Sequence, residues 1–456
     1  MPTIQHILSV AQSSLQASQS AVAVANNNIS NVNTPGWARE VLPLQAALGN
    51  MGVATSDPTA LRNALLERSL GATSGRLGFF QTQVDHLSQL EAATNDLDGN
   101  GLGVALADFG AALANASANP GGSVERDQIL QAARTLSGAF KTTRSQLDQG
   151  REAALADAEA LASRANALAA EIAELNTRIQ ATAGSDANGL VARRSDLVGQ
   201  LSSLVGVHSV RRSDGSVHLE TAGGRPLVEA GFASRLRVQV NGDVPEIVVE
   251  KAQGQVLEMI GEIGGEIGGA LEVYSDRVTP TVDKLDEMAY AFMEAFNSVH
   301  EAGFNLNGGT GLQFFDLPDA VEGAAAALNL SPDVDGFPEH IAGSADLGGV
   351  PGSNANLLAL EALIDQDGVL PSGQSVEGAW NLIVDDFAYG LVRARAGVAL
   401  ETESLEMISN MLASETGVNI DEELIKVTQA NAALEASSTV IKEVQTMTNT
   451  ILGLVS

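Results

Sequence analysis

His300 is the residue of this sequence that most invites a catalytic interpretation. It ends a segment, Thr281–His300, whose apolar residues recur at the spacing of one helix face. A histidine serves catalysis or metal binding when a nucleophile or further ligands accompany it. No serine nucleophile motif and no metal-ligand spacing accompanies His300, and the chain contains no cysteine. We therefore interpret His300 as a structural histidine near a helix end.

Adjacent carboxylates offer a second possible chemistry, because a carboxylate pair can hydrolyse a glycosidic bond. Asp385-Asp386 and Glu422-Glu423 are such pairs. Neighbouring positions on a helix point apart, however, and a chain with 56 acidic residues contains many pairs by chance. The acids after Asn419 are typical of a helix start, where they favour the positive end of the dipole. We predict no catalytic residue and no enzyme.

Two other patterns match binding sites only in part. The segment Asp96–Gly101 has the opening of a calcium loop, but its twelfth position is Ala107, where the loop requires glutamate. The glycines between Gly261 and Gly269 could suggest a phosphate loop, but neither of the usual phosphate-binding patterns surrounds them. We predict turns or strand ends there, and neither a metal nor a cofactor.

The composition excludes several classes of partner. The chain has 456 residues and a formal net charge of −31, so its surface repels nucleic acid and anionic membranes. No stretch is long and apolar enough to cross a bilayer. Met1–Ile4 contains no basic residue, so a cleaved signal peptide is not expected. By these rules alone the protein would be cytoplasmic.

The elements that must position these residues begin with an apolar seam near the amino terminus. Two interleaved lines recur every seven positions, which is the pattern of a helix that packs against another helix. The first line is Leu8, Leu15, Val22 and Ile29, and the second is Ile4, Ala11, Ser18, Ala25 and Val32. Asn33-Thr34-Pro35-Gly36 then ends the helix, because proline lacks the N–H group and glycine favours turns.

The carboxyl terminus carries a matching seam. Its members step by three and four positions and are Val427, Ala430, Leu434, Ser437, Ile441, Val444, Thr448, Ile451 and Val455. A second flank widens this face and consists of Ala433, Val440, Met447 and Leu454. We predict that the two terminal helices pair and that the extra flank meets another molecule. The alternative is an antiparallel helix pair that closes one domain, which does not explain why the first helix is nearly without charge.

Between the two ends, the pattern changes from helix to strand and back. Helical spacing predicts two successive helices, one through Ile129–Leu147 and another through Leu161–Ile179. Alternation and turn signals then predict a small β domain. The predicted fold class is mainly α with a small β domain (α+β). We predict a terminal coiled coil of residues 1–36 and 420–456, a discontinuous helical-bundle domain of residues 37–199 and 273–419, and a mid-chain β domain of residues 200–272.

The residues that end the first helix resemble those of a known family. They are Asn27, Asn31, Asn33, Thr34, Pro35, Gly36, Trp37 and Arg39. This motif is similar to the amino-terminal signature of flagellar axial proteins, the family of rod, hook and hook-associated proteins. Its Pro-Gly-aromatic-x-Arg ending resembles the hook-associated branch, with Trp37 where tyrosine is usual. The segments 113–126, 171–197, 297–303 and 417–423 are similar to further parts of the family.

The resemblance implies a structural protein that forms a junction ring between hook and filament and adapts one to the other. The implied partners are further copies of this chain, the hook protein, the next hook-associated junction protein, and an export chaperone on the carboxyl-terminal helix. The implied location is the extracellular flagellum, reached by type III export without a cleaved signal peptide. The predicted assembly contacts, on helices that fold only on assembly, are Leu8, Leu15, Val22, Ile29, Val427, Leu434, Ile441, Val444 and Ile451.

Two alternatives share part of this pattern. A hook or rod subunit would carry both terminal motifs, but such subunits usually lack a proline at the position of Pro35. An unrelated acidic coiled-coil surface protein would share the heptads and the charge, but not the paired terminal motifs.

Overall fold

The computed structural model describes residues 3–47, 52–94, 101–182, 186–242, 244–251, 256–260 and 263–455. Most of these residues are helical. The helices are α1 Ile4–Ser30, α2 Ala64–Thr94, α3 Leu102–Ala118, α4 Ser123–Ala181, α5 Asp186–Val205, α6 Gly265–Glu272, α7 Thr279–Ala302, α8 Ala324–Ala327, α9 Ala355–Asp365, α10 Val376–Thr416 and α11 Ile420–Val455. A π-helical segment, Val273–Val278, joins α6 directly to α7.

The strands are short and pair antiparallel. They are β1 Glu40–Val41, β2 Leu44–Ala46, β3 Val53–Thr55, β4 Thr59–Ala60, β5 His208–Arg211, β6 Val217–Glu220, β7 Pro226–Glu229, β8 Phe232–Ala233, β9 Arg235–Asn241, β10 Val244–Glu250 and β11 Val256–Ile260. β1 pairs with β4 and β2 with β3, and two larger sheets have the orders β5-β6-β7-β8 and β11-β10-β9. The fold class is therefore mainly α with a small β region, as predicted.

Helix α4 is one helix of 59 residues, where the sequence pattern predicted two. It contains no proline, so nothing interrupts its backbone hydrogen bonds. Gly150 does not break the helix but makes room for a neighbour, since a Cβ there would lie 2.3 Å from a methyl carbon of Leu90. At about 1.5 Å per residue α4 is about 90 Å long. Its two halves belong to two different hydrophobic cores.

The first core lies where α3, the first half of α4, α7, α9 and α10 meet. At its centre are five fully buried phenylalanine rings, Phe109, Phe292, Phe296, Phe314 and Phe315. The ring centroid of Phe296 lies 4.8 Å from that of Phe314 and 5.5 Å from that of Phe109. Tilted aromatic contacts of this kind add stability beyond the apolar area that they bury. We call this part of the chain the helical body.

The second core lies between the second half of α4, helix α5 and the two larger sheets. α4 contributes a line of buried alanines to it, Ala158, Ala162, Ala165 and Ala169. Leu161 and Leu168, which the sequence pattern also placed on the inner face, are only half-buried. The reason is that small side chains let the neighbouring elements approach the axis of α4 closely.

The glycine run after β11 contributes to helix α6 rather than to the predicted turns. Gly268 and Gly269 lie where α6 crosses α2, and a Cβ on Gly269 would lie 2.4 Å from the carbonyl oxygen of Phe79. Only glycine permits this approach. Gly261 lies outside the described residues.

The division into three domains stays a prediction. Strands β5 to β11 fall within residues 200–272, and the last eight of those residues form α6.

Candidate assembly interface

Helices α1 and α11 pack against each other in antiparallel orientation. The Ser437 hydroxyl donates a hydrogen bond of 3.0 Å to the Ser14 hydroxyl, and near the other end Asn28 donates to the Glu423 carboxylate at 3.2 Å. Residues near the end of α1 therefore lie beside residues near the start of α11, and residues nearer the start of α1 lie beside later residues of α11. The two ends of the chain form one helix pair, as the two sequence seams predicted. We call it the terminal pair.

The most deeply buried line of the terminal pair consists mainly of small side chains that repeat every seven residues. Its members are Ala11, Ser18 and Ala25 on α1 and Glu423, Ala430, Ser437 and Val444 on α11. Small side chains allow two helices to approach closely. Each of them buries little apolar area, however, so the seam contributes less hydrophobic stabilisation than a leucine seam of the same length.

The first predicted line of α1 lies at the edge of this seam rather than in its centre. Its members, Leu8, Leu15, Val22 and Ile29, are all half-buried. Ala17 and Val24 are buried instead, because the passage that follows α1 also packs on this helix. Part of that passage is held by a hydrogen bond of 3.3 Å from the Val53 N–H to the Ser13 hydroxyl. The predicted line keeps apolar surface that its own chain leaves uncovered.

On α11, α1 covers only part of the predicted seam. Val444 is buried and Val427, Leu434 and Ile441 are half-buried, whereas Ile451 is 49% exposed. The cause is a difference in length, since α11 has 36 residues and α1 has 27. The antiparallel register therefore leaves the last turns of α11 beyond the start of α1.

The second predicted flank of α11 is uncovered at Val440 and Met447, whereas Ala433 is half-buried and the side chain of Leu454 lies outside the described part. Val440 is 41% exposed and Met447 is 56% exposed, and they follow each other on the same side of the helix. Together with Ile451 they form a continuous apolar stripe, which we call the α11 stripe. A stripe of this kind on a chain with so much charge marks a surface that another molecule can cover.

A cluster of buried polar side chains connects the terminal pair to the rest of the chain. The side-chain amide of fully buried Asn28 donates to the backbone carbonyl of Glu40 at 2.9 Å and accepts from the Glu40 N–H at 2.8 Å. It also donates to the Glu423 carboxylate. The buried Glu40 carboxylate accepts from Asn27 at 3.0 Å and from Asn188 of α5 at 2.8 Å. This polar hub joins α1, β1, α5 and α11.

The asparagine motif builds the turn that leads from α1 into the polar hub. The Asn31 side chain donates to the backbone carbonyl of Asn27 at 2.9 Å and to its side-chain oxygen at 3.0 Å. The Thr34 hydroxyl donates to the Asn31 side chain at 3.1 Å, and the Trp37 N–H donates to the Thr34 carbonyl at 3.1 Å. These bonds satisfy groups that the end of a helix leaves without partners.

Gly36 fixes the direction in which the chain leaves this turn. Its φ is +72°, and a Cβ would lie 2.3 Å from the carbonyl oxygen of Ala192 in α5, so any other residue is strained and displaced. Asn33 and Pro35, the other motif residues of the turn, are exposed. They shape the turn and contribute no buried contact.

Arg39, the last residue of the motif, reaches the far end of the chain. Its guanidinium donates to the Glu422 carboxylate at 3.0 Å, and its backbone N–H donates to the carbonyl of Thr416 at 2.8 Å. The link after α1 and the link before α11 are therefore bonded side by side. The terminal pair leaves the helical body through two adjacent connections.

Sequence reasoning missed the polar hub. Asn28, Glu40, Asn188 and the specific role of Glu423 were not predicted. One signal was present, because Glu40 is the first acidic residue of an acid-rich chain and comes soon after a nearly chargeless helix and its turn. Its partners are distant in sequence, so only the fold brings them together.

The structure places His300 in a structural role. It is buried, and because the Ala342 N–H donates to its Nε2 at 3.0 Å, its Nδ1 carries the proton and donates to the Leu312 carbonyl at 2.7 Å. Burial lowers the pKa of His300 to about 4, with a smaller contribution from the nearby Arg126 guanidinium. A neutral, buried ring with both nitrogens bonded to the backbone ties the end of α7 to two loops.

The candidate carboxylates are bound to separate partners. Asp386 pairs with a lysine of α7 at 3.5 Å while Asp385 is exposed, and Glu422 and Glu423 have the different partners described above. Among the described residues, no group of three histidine, aspartate or glutamate side chains is placed to hold a metal ion. Residues 96–100 of the calcium-like segment lie outside the described residues.

No helix of the described part has the length and apolar character of a bilayer crossing.

Comparison with known proteins gives concordant matches. Residues 87–315 match the family model of the flagellar hook-associated protein FlgK helical domain, and residues 8–37 match that of the flagella basal body rod protein. Flagellar hook-associated protein 1 of Escherichia coli strain K12 is 28% identical over 328 residues, which are 68% of this chain and 60% of that protein. Flagellar hook-associated protein 1 of Bacillus subtilis strain 168 is 24% identical over 495 residues, 95% of each chain.

A solved structure shares the fold. The flagellar hook junction protein FlgK from Burkholderia pseudomallei superposes with a TM-score of 0.64 at 14% identity, covering 76% of this chain and 99% of that chain. Paired chain ends, a helical body and a mid-chain β region together define a structural protein of the flagellar axial class. The match over residues 87–315 covers half of the sequence, and the chain therefore belongs to the family of the flagellar hook-associated protein FlgK. The chain spans 60% of the length of the Escherichia coli relative.

Proposed function

We propose that this chain is a structural subunit at the junction between flagellar hook and filament and that it self-assembles through the terminal pair. The observation that carries the proposal is the α11 stripe, together with the half-buried line from Leu8 to Ile29 on α1. The first helix also lies within the match to the flagella basal body rod family model, residues 8–37. The names of the relatives and of the structural neighbour support the location at the hook junction.

Burial of this surface supplies the energy for assembly. A fully buried isoleucine, leucine or methionine contributes about 1.5–3 kcal/mol. Ordering the backbone costs about 1–2 kcal/mol per residue. Within one chain the terminal pair buries mainly small side chains, so its burial does not offset this cost, and neighbouring subunits decide whether it is folded. On this basis the terminal helices are largely unfolded in the free chain and fold on assembly.

The partners follow from this role. They are further copies of this chain in a ring, the hook protein on one side, the next hook-associated junction protein on the other, and an export chaperone that covers α11 before assembly. The chain reaches the flagellum by type III export without a cleaved signal peptide. It holds the structure together and catalyses no reaction.

A pair of matched variants tests the assembly surface. Met447→Glu places a charge in the α11 stripe, whereas Asn449→Glu places the same charge on the opposite, exposed side of α11. In the source bacterium, replacement of the chain by Met447→Glu should leave hooks that are made but bare, and Asn449→Glu should give normal filaments. Normal filaments with Met447→Glu would overturn the proposed surface.

A strain in which this chain is deleted distinguishes the alternative functions. Deletion of a hook or rod subunit would abolish the hook itself, whereas deletion of this chain should leave hooks without filaments.

Amide hydrogen exchange on the purified chain tests the folding step. Fast exchange in α1 and α11, with protection in the second half of α4, is expected. Strong protection in both terminal helices would show that they are already folded before assembly.

A further inference from the structure

Asparagine followed by glycine is the dipeptide in which an asparagine side chain loses its amide most readily, because glycine leaves the next backbone nitrogen unhindered. The dipeptide begins at Asn100, Asn188, Asn241 and Asn307. The structure describes both residues of the last three, whereas Asn100 lies outside the described residues. The reacting groups of these three pairs are identical, so the fold decides which of them can react.

Deamidation joins the backbone nitrogen of the glycine to the side-chain carbon of the asparagine. The nitrogen loses its proton and forms a bond to Cγ. The bond from Cγ to Nδ2 breaks, and Nδ2 leaves with that proton as ammonia. Water then opens the resulting succinimide ring at either carbonyl, which gives aspartate or isoaspartate. The attack requires that the asparagine can rotate and that no hydrogen bond holds the glycine N–H.

Two of the three pairs are held in place. Asn188 lies in the first turn of α5, and its side-chain amide donates to the Glu40 carboxylate at 2.8 Å. In the other pair, the Gly308 N–H donates to the Asn305 carbonyl at 3.0 Å, and the Asn307 N–H donates to the Asn305 side chain at 3.0 Å. A helical turn or a hydrogen bond must therefore open before either pair can react.

The third pair lies at the tip of the β9–β10 hairpin. Asn241 and Val244 are paired across the two strands, so Gly242 begins a connection of two residues, and its φ is +65°. Asn241 and Gly242 are both exposed, and the Gly242 N–H donates to no described residue. We propose that Asn241 deamidates spontaneously in the folded chain, with water as the co-reactant, whereas Asn188 and Asn307 are protected. This goes beyond the proposed function, which assigns no role to the hairpin.

The modification changes the hairpin in two ways. Both products place a negative charge two positions before Asp243 in the sequence. Isoaspartate also carries the main chain through the former side chain, which lengthens the connection between the strands. A two-residue connection fixes the register of the strands that it joins. Isoaspartate at position 241 therefore disturbs the pairing of β9 with β10.

Peptide mapping of the full chain by mass spectrometry tests this assignment. The chain is kept at mildly alkaline pH, once folded and once in concentrated urea, and the deamidation rate of each asparagine is measured. Division of each folded rate by its rate in urea removes the effect of the neighbouring sequence. This ratio should be at least about tenfold higher for Asn241 than for Asn188 or Asn307, because those two must first break a hydrogen bond or a helical turn.

The proposal is overturned if Asn241 stays intact in the folded chain over the period in which urea converts it. It is also overturned if Asn188 or Asn307 has an equal or higher ratio. Chromatographic separation of the two product peptides tests the route, since ring opening gives isoaspartate as well as aspartate. Aspartate alone would show direct hydrolysis of the amide and would overturn the proposed attack by the Gly242 nitrogen. None of these outcomes depends on flagellar assembly.

Discussion

In the helical body, Phe109 lies within about 6 Å of four other phenylalanine rings, all fully buried. In the terminal pair, the corresponding central position is occupied by alanine and serine. The body therefore buries large apolar side chains within one chain. The terminal pair buries small ones and leaves its larger apolar residues half-buried or exposed. This contrast supports the proposal that the body folds alone and that the terminal pair folds with its neighbours.

Buried polar groups show the same contrast. In the body, the Asp286 carboxylate accepts from the backbone N–H groups of Gly323 and Ala325 at 2.8 and 3.0 Å, and His300 is bonded at both nitrogens. These networks lie inside a large core. In the terminal pair, the polar hub is at the base, where α1 and α11 meet the body. The pair is thus held firmly at one end and only weakly along its length.

The largest expected effect comes from the aromatic core. Phe296→Ala should lower the free energy of unfolding of the body by about 3–5 kcal/mol, because it leaves a cavity among four rings. Urea unfolding followed by near-ultraviolet circular dichroism measures this loss. Phe337→Ala, at a ring that is 47% exposed, is the control and should cost much less. Equal losses of unfolding free energy in the two variants would contradict the inference that the body folds without the terminal pair.

The sequence predicted most of the elements of both regions but not how they fit together. Heptads predicted α1 and α11, and the carboxyl-terminal flank predicted the exposed stripe. The single long α4 and the helix at Gly268 were not predicted, because alanine and glycine lines become informative only when a close neighbour is known. The second predicted line of α1 includes its buried residues Ala11, Ser18 and Ala25, whereas the burial of Ala17 and Val24 was not predicted, since it comes from the passage after α1 that also covers this helix. The polar hub depends on contacts between residues far apart in sequence.

The second effect tests how the terminal pair is held. Asn28→Ala should cost about 2–3 kcal/mol, because the buried backbone N–H and carbonyl of Glu40 lose the Asn28 side chain as a partner and the Glu423 carboxylate keeps only Lys426. If the pair is attached only at its base, the loss appears as faster hydrogen exchange in α1 and α11 of the assembled subunits and leaves the urea midpoint of the body in the free chain unchanged. Asn33→Ala, at the exposed tip of the turn, should change neither measurement. A shift of the body midpoint with Asn28→Ala would show that the two regions unfold together.

The third effect belongs to the body and depends on pH. Burial lowers the pKa of His300 from its ordinary value of 6.5 to about 4 in the folded chain, so between these pH values the unfolded chain binds a proton that the folded chain does not. Its stabilising contribution is present above pH 6.5 and is lost as the pH falls towards 4, by about 2 kcal/mol at pH 5. Protonation of Nε2 would also break the bond from Ala342.

Urea unfolding of the body at several pH values measures this loss. Other acids titrate in the same range, so the comparison is with His300→Gln, whose stability should fall less steeply between pH 7 and 5. His208→Gln, at an exposed histidine, should keep the slope of the natural chain. Parallel slopes for the natural chain and His300→Gln would contradict the assignment of a neutral buried ring.

The smallest effect concerns the pair of links between the two regions. The Arg39–Glu422 ion pair is 3.0 Å long, but its side chains are 25% and 57% exposed, so solvent and salt screen it. A double-mutant cycle with Arg39→Gln and Glu422→Gln should give a coupling of about 0.2–1 kcal/mol in the hydrogen exchange of α11 in the assembled subunits, smaller at high salt. The backbone bond from Arg39 to Thr416 persists in every variant of the cycle and keeps the links together. A coupling well above 1 kcal/mol, unchanged by salt, would mean that the links are rigid and that the terminal pair is held along more than its base.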